Sequence, residues 1–194
     1  MEINAERVIE LVKSVRPLFM DHERASRITV KGAADFVTQV DFLVQERMRS
    51  GLFDMYPQVQ FMGEEKDNRD IDFSGAVWIL DPVDGTTNLI HDFRCSALSL
   101  ALCDRGQMEL GIIYQPYEDE LFLAQRGKGA FLNGNPIHVS SVKDLGQSLI
   151  SIGTSPYNHD LADRNFEDIK RVFLKCSDIR RTGSAAVDLA YVAC

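Results

Sequence analysis

The chain has little of what marks several protein classes. It holds only four cysteines in 194 residues. Cys95, Cys103, Cys176 and Cys194 lie far apart, with no paired spacing of the kind zinc sites require, so free thiols are expected. Basic residues are not in excess: 21 Lys and Arg against 29 Asp and Glu give a net charge of −8, and no basic stripe is present to neutralise a nucleic-acid backbone. No apolar run reaches the ~20 residues that a bilayer-spanning helix needs. The N-terminal stretch MEINAERVIELVKSVRPLF carries charges throughout, which fits neither a signal peptide nor a membrane span. Repeats, linkers and low-complexity segments are also missing. These absences argue against nucleic-acid and membrane partners and lead to the expectation of a cytoplasmic protein.

What is present suits one domain or most of one, since 45% hydrophobic content over this length can bury a substantial core. Ala5, Val8, Ile9, Val12, Val15 and Phe19 trace one face of a first helix, with Asn4 as its cap. A second helix is expected over residues 38–56, its apolar stripe being Val40, Val44, Met48, Leu52 and Met55. Strands are expected over 96–103, 108–114 and 120–124, with turns at Asp104-Arg105-Gly106, Gln115-Pro116 and Arg126-Gly127-Lys128-Gly129. Asn133-Gly134-Asn135 closes a further hairpin. Short turns between successive strands imply an antiparallel meander with helices packed on it, an α+β arrangement. Residues 160–175 read as a surface helix with Leu161, Phe166, Ile169, Val172 and Phe173 partly facing inward.

The most informative segment is WILDPVDGTTNLIHDF, residues 78–93. An apolar strand runs into Asp81 and Asp84, held on a turn stiffened by Pro82, whose φ is fixed. Carboxylates so placed suit a hard divalent cation, which takes one or two of them plus phosphate oxygens. Gly85, Thr86 and Thr87 follow, and a helix starting there aims its backbone N–H groups at an anion. Ordinary turn chemistry also accounts for Asp-Pro and Asp-Gly. Glu64, in the nearby Gly63-Glu64-Glu65, adds a further acid and favours the metal reading.

Three motifs in order, DFVTQVD (residues 35–41), GEE (63–65) and WILDPVDGTTN (78–88), resemble the inositol monophosphatase family of magnesium-dependent, lithium-sensitive phosphatases. RRTGSAAVDLAYVA (180–193) resembles the start of that family's substrate-binding helix. The resemblance implies a layered α/β/α/β/α sandwich of the inositol monophosphatase and fructose-1,6-bisphosphatase type. Residues 1–140 are then the metal- and phosphate-binding part, and 141–194 the start of the substrate-binding part. It further implies two or three Mg2+ ions: Glu64, Asp81 and the Val83 carbonyl on the first, Asp81 and Asp84 on the second, and Asp41 near a weaker third. Glu64 and Thr86 would orient the attacking water, with Asp41 bonded to Thr86. Gly85 and Thr86 would hold the phosphate, while Asp84, Gly183, Ser184 and Ala185 would contact substrate hydroxyls. Helix capping explains Asp41 and Ser184 equally well from the residues alone. Glu65 is left out of the ligand set, and Asp35 and Thr38 are assigned to a turn and a cap. No role is expected for His22, His91, His138 or His159.

The implied reaction is hydrolysis of a cyclitol or sugar phosphate monoester, foremost myo-inositol 1-phosphate, by a homodimer. Fructose-1,6-bisphosphatase, nucleotide-3′-phosphatase and histidinol-phosphatase activities are the alternatives, as is a noncatalytic homologue acting through a protein partner. The chain ends at Cys194, where relatives continue into an acidic substrate motif and an aspartate of the second metal site. The expectation is therefore an incomplete C-terminal part and weak or absent activity.

Overall fold

In the computed structural model, which describes residues 3–32, 35–64 and 68–194, the chain builds a mixed seven-stranded sheet covered by helices. The side chains of Lys31 and Asp35 and all of Glu65 lie outside that description, so the turn role expected for Asp35 is not addressed. The expected first helix is broken into two, α1 (Ala5–Lys13) and α2 (Arg16–Phe19), and a further short helix, α3 (His22–Ala25), follows. Pro17 explains the break, because it has no N–H to donate and its ring collides with the carbonyl four residues back, at Lys13. The apolar face survives the break, and Val8, Val12, Val15 and Phe19 are all buried. Asn4 caps α1 by accepting from Arg7 N at 3.1 Å.

A hairpin, β1 (Ile28–Gly32) with β2 (Asp35–Thr38), separates these helices from α4 (Gln39–Met55) and was not expected. Its run of Ile, Thr, Val and Phe suits strands, but the ribbon has little apolar cover, and Val30 stays 66% exposed. Helix α4 runs as the periodicity predicts, and Val40, Val44, Met48 and Leu52 are buried against the sheet with Trp78, Leu100 and Ile112 in the main core.

The sheet follows the order β3 (Gln60–Gly63), β4 (Ala76–Asp84), β5 (Ala97–Asp104), β6 (Gln107–Gln115), β7 (Glu120–Gln125), β8 (Gly129–Leu132) and β9 (Asn135–Pro136). From β4 to β9 it is the antiparallel meander that the turns require. At its edge, β3 pairs parallel with β4, a departure from an all-antiparallel sheet. The intervening stretch returns the chain to the same end of the sheet, as parallel pairing demands.

Beyond the meander, β10 (Leu149–Ser151) and β11 (Asp178–Arg180) form a separate parallel pair joined through α6 (Ala162–Phe173), a small β-α-β unit that the sequence did not disclose. Helix α6 buries no residue: Ile169 and Val172 are half-buried, but Leu161, Phe166 and Phe173 face outward rather than in. Helix α7 (Ala185–Val192) places Ala186 and Val187 on the other face of the main sheet, against Ala97 and Ile113. The cysteines are free thiols, Cys103 buried and Cys194 exposed. No helix among the described residues is long and apolar enough to cross a membrane.

Candidate active site

Two strand ends and one irregularity bring the acids together. Because β3 and β4 run parallel, Gly63 pairs with Leu80, and Glu64 N donates to Leu80 O at 3.2 Å. Glu64 therefore leaves the sheet beside Asp81. In a regular strand, residues 81 and 84 would point to opposite faces, since side chains alternate with period two. Between Asp81 and Asp84 the pairing with β5 slips: Asp81 opposes Ser99 and Asp84 opposes Ala97, so β4 carries one extra residue. That bulge turns both aspartates towards one cleft of about 540 Å³, lined also by Glu64, Thr86 and Ser184.

The charges interact. Burial, then the neighbouring charges of Glu64 and Asp84 and a hydrogen bond with Glu64, push the Asp81 carboxyl up to about 8. Asp81 Oδ1 also accepts from Val83 N at 3.1 Å, which fixes the turn. Oxygen donors crowded until one must hold its proton suit a hard divalent cation, which would relieve the repulsion. Among the described residues, however, no three acidic, His or Cys side chains form a ready-made ligand cluster. Asp84 is drawn the other way: its Oδ2 accepts from Ser184 Oγ and from Ala186 N, each at 2.6 Å. Both bonds fall on Oδ2, so Asp84 ties the β4 bulge to the first turn of α7.

Ser184 is spent in this arrangement. Fully buried, it donates to Asp84 and caps α7 by accepting from Val187 N at 3.3 Å. Of the residues expected to touch substrate hydroxyls, Gly183, Ser184 and Ala185 do line the cleft. Ser184, though, offers no free hydroxyl there.

Asp41 sits at the start of α4, buried to 2% exposure. It completes a capping box, its Oδ2 accepting from Thr38 N at 2.8 Å and from Thr38 Oγ1 at 2.6 Å. Its Oδ1 lies 3.1 Å from Thr86 Oγ1, and burial raises its pKa above the ordinary carboxylate range. Capping and site support thus coincide in one residue. Thr86 Oγ1 also lies 3.0 Å from Val83 O, so its single proton is committed to these acceptors and its lone pairs are left for a donor in the cleft.

Gly85 adopts φ +94°, a left-handed conformation that side chains disfavour, and opens the five-residue helix α5 (Thr86–Ile90). A Cβ there would meet Cys95 O at 3.1 Å and Gly183 O at 3.3 Å. No side chain caps α5, so its first-turn N–H groups lack that acceptor. Asn88, to which the sequence assigned no role, clasps the site: its amide donates to Cys95 O at 2.6 Å and to Thr182 O at 2.8 Å. Those carbonyls lie 7 and 94 residues away in the chain, and no local pattern reports such a bond.

Comparison with known proteins agrees with this layout. The model of the inositol monophosphatase family matches residues 1–194. The chain belongs to the inositol monophosphatase family. It is 36% identical over 200 residues to an inositol monophosphatase of Dictyostelium discoideum, covering 97% of this chain and 72% of that protein. It is 38% identical over 163 residues to the Nus factor SuhB of Salmonella typhimurium, covering 84% of this chain and 61% of that protein. Among solved structures, the extragenic suppressor protein suhB of Bartonella henselae superposes with TM-score 0.88 at 32% identity over 97% of this chain and 73% of its own. The Thermotoga maritima IMPase does so at 0.82 and 32%, over 95% and 70%. The chain thus spans roughly three-fifths to three-quarters of these relatives. The layered α+β fold is the one these relatives share.

Proposed function

We propose that the chain carries the metal- and phosphate-binding machinery of a magnesium-dependent phosphatase that hydrolyses phosphate monoesters of cyclitols or sugars, with myo-inositol 1-phosphate as its first substrate. The observation that carries this reading is the contact of Glu64 with Asp81 at the adjoining ends of β3 and β4, with Asp84 turned to the same cleft by the bulge. Glu64, Asp81, Asp84 and the Val83 carbonyl are the oxygens that would hold the ions. Bound there, magnesium would supply positive charge for the phosphoryl group and would lower the pKa of a water so that, once deprotonated, it could attack phosphorus.

The chain's own residues do the rest. Glu64 accepts a proton from the attacking water, and Thr86, its hydroxyl proton engaged by Asp41 and Val83, orients that water by accepting a hydrogen bond from its other O–H. Backbone N–H groups at Gly85 and Thr86 bind the phosphate. Phosphoryl transfer asks mainly for such positioning and charge stabilisation. Asp84, locked by Ser184 and Ala186, sets the distance between the metal end and the α7 wall. A homodimer in the cytoplasm is part of the same proposal.

Magnesium-dependent phosphate release from a panel of cyclitol, sugar and nucleotide monoesters is the test. Release that requires magnesium and falls at least about a hundredfold in Glu64→Gln is expected, in line with the loss of one preorganised catalytic group. Release indifferent to both magnesium and Glu64 overturns it. A second reading, action through a protein partner, is favoured by the relative named a Nus factor and by the outward apolar residues Leu189, Tyr191 and Val192 of α7. A Glu64→Gln chain that keeps full cellular function supports that reading instead.

A further inference from the structure

Gln45 is a polar side chain buried to 5% exposure on α4, one helical turn beyond Asp41. Residues four apart lie on the same face of a helix, so α4 turns Asp41 and Gln45 to one side. Asp41 reaches Thr86, its Oδ1 lying 3.1 Å from Thr86 Oγ1. Gln45 reaches the base of Glu64 from behind the cleft. Its amide end lies over Gly63, where a Cβ would collide with Gln45 Oε1 and stand 2.9 Å from Gln45 Cδ.

Gly63 does not take the left-handed conformation that would by itself call for glycine, so the space that Gln45 fills is what excludes a side chain there. At an open surface the end of a glutamine would swing aside for an added methyl group. At 5% exposure Gln45 has little room to do so. The rest of this turn is also held: Gly63 O accepts from Asn68 Nδ2 at 2.7 Å, and Glu64 N donates to Leu80 O at 3.2 Å. Asp41 and Gln45 start about 6 Å apart along the axis of one helix. That helix therefore gauges where Glu64 leaves β3 against where Thr86 stands.

We propose that Gln45 is a positioning residue for phosphate-ester hydrolysis: by packing on Gly63 it fixes Glu64 at the metal end of the cleft in register with Thr86. The proposal rests on the phosphatase reading and adds to it a residue that does not line the cleft. Gln45 acts through Glu64 and takes no part in bond breaking. Misplacing a reacting group by about 1 Å costs on the order of a hundredfold in rate. Loss of the packing therefore shows as lost turnover and weaker magnesium binding, with substrate binding little changed.

The experiment measures kcat and KM for myo-inositol 1-phosphate in the intact chain, in Gln45→Ala, Gln45→Glu and Gly63→Ala, and in the Gly63→Ala, Gln45→Ala double variant. Leu52→Ala serves as a buried change on the same helix away from the site. Calorimetric titration with magnesium alone and urea unfolding are run on each. In Gln45→Ala, kcat is expected to fall at least about tenfold with KM within about threefold, and magnesium to bind at least about tenfold more weakly. Gln45→Glu keeps the shape and an oxygen over Gly63, and recovers most of both losses. Gly63→Ala shows the same losses but adds little to Gln45→Ala, the non-additivity of residues in contact. Leu52→Ala loses stability and keeps kcat. A Gln45→Ala chain that likewise loses only stability overturns the proposal and leaves the phosphatase reading standing. Should the intact chain release no phosphate, the phosphatase reading fails and the magnesium titration decides: weakening in Gln45→Ala that Gln45→Glu recovers upholds the positioning role, whereas unchanged affinity, or no magnesium bound by the intact chain, overturns it.

Discussion

The bulged end of β4 and residues 151–192 face the same cleft, yet they are held in place by different means. Asp81 and Asp84 stand on a strand whose Val77, Trp78 and Leu80 are buried to 2% exposure or less, beneath α4 and beside β5. Across the cleft, α6 buries nothing, Leu149, Phe166 and Leu174 remain largely exposed, and only α7 reaches the main sheet, through Ala186 and Val187. The acids at the end of β4 are mounted on the core, whereas the facing wall of the cleft hangs on a few polar ties: Ser184 and Ala186 to Asp84, and Asn88 to Thr182. The two sides therefore differ in rigidity, and sheet-mounted geometry is where precision is easiest to hold.

Several measurements sharpen or break that contrast. The largest effect is expected at the metal end: Asp81→Asn lowers magnesium-dependent phosphate release by about a thousandfold, the upper range for loss of one preorganised electrostatic group. Without magnesium the same change raises the melting temperature at pH 8, because it removes a carboxyl that burial and its neighbours disfavour. A drop in both would show Asp81 to be structural. Next comes the core beneath it, where Leu100→Ala is expected to cost about 2–5 kcal/mol in urea unfolding. Phe166→Ala on α6 should cost within about 0.5 kcal/mol, as for an exposed side chain. Comparable losses would mean that the two regions are equally packed.

An effect between those two is expected for Gly85→Ala, at about 1–2 kcal/mol for a side chain forced into the left-handed region, with catalysis falling along with stability. The smallest concerns pH. Tyr114 donates to Asp119 Oδ1 at 2.7 Å and, with Lys13 nearby, holds that carboxyl below the usual range. A depressed carboxylate contributes stability above its unfolded value of 3.8 and loses it as pH falls through the lower folded value. Asp119→Asn should therefore flatten the acid limb of the stability curve below about pH 4 and leave the limb near neutrality unchanged. An unaltered acid limb would remove Asp119 from the account.

The sequence was most legible where structure is local. The stripe of α4, the caps at Asn4 and Thr38 and the meander from Ala97 to Gln125 were readable from period and turn chemistry, and Glu64, Asp81, Asp84 and Thr86, singled out by turn chemistry and motif order, all line one cleft. The β1–β2 hairpin and the β10–β11 pair were not, since their strands have three to five residues and little burial, too few to show a period. Pro17 was in plain view, but its break was outweighed by an apolar face that continues across it.

By itself, the order of residues determined which groups are available for chemistry, the acids and the Gly-Thr-Thr turn, because composition and spacing are properties of the chain alone. Tertiary structure decided how they are used. Only the parallel pairing of β3 with β4 sets Glu64 beside Asp81, and only the extra residue in β4 turns Asp84 to the same side. Ser184 becomes a brace for Asp84 from 100 residues away. Such contacts join segments that no local pattern links, and they exist only once the core has fixed the distances between them.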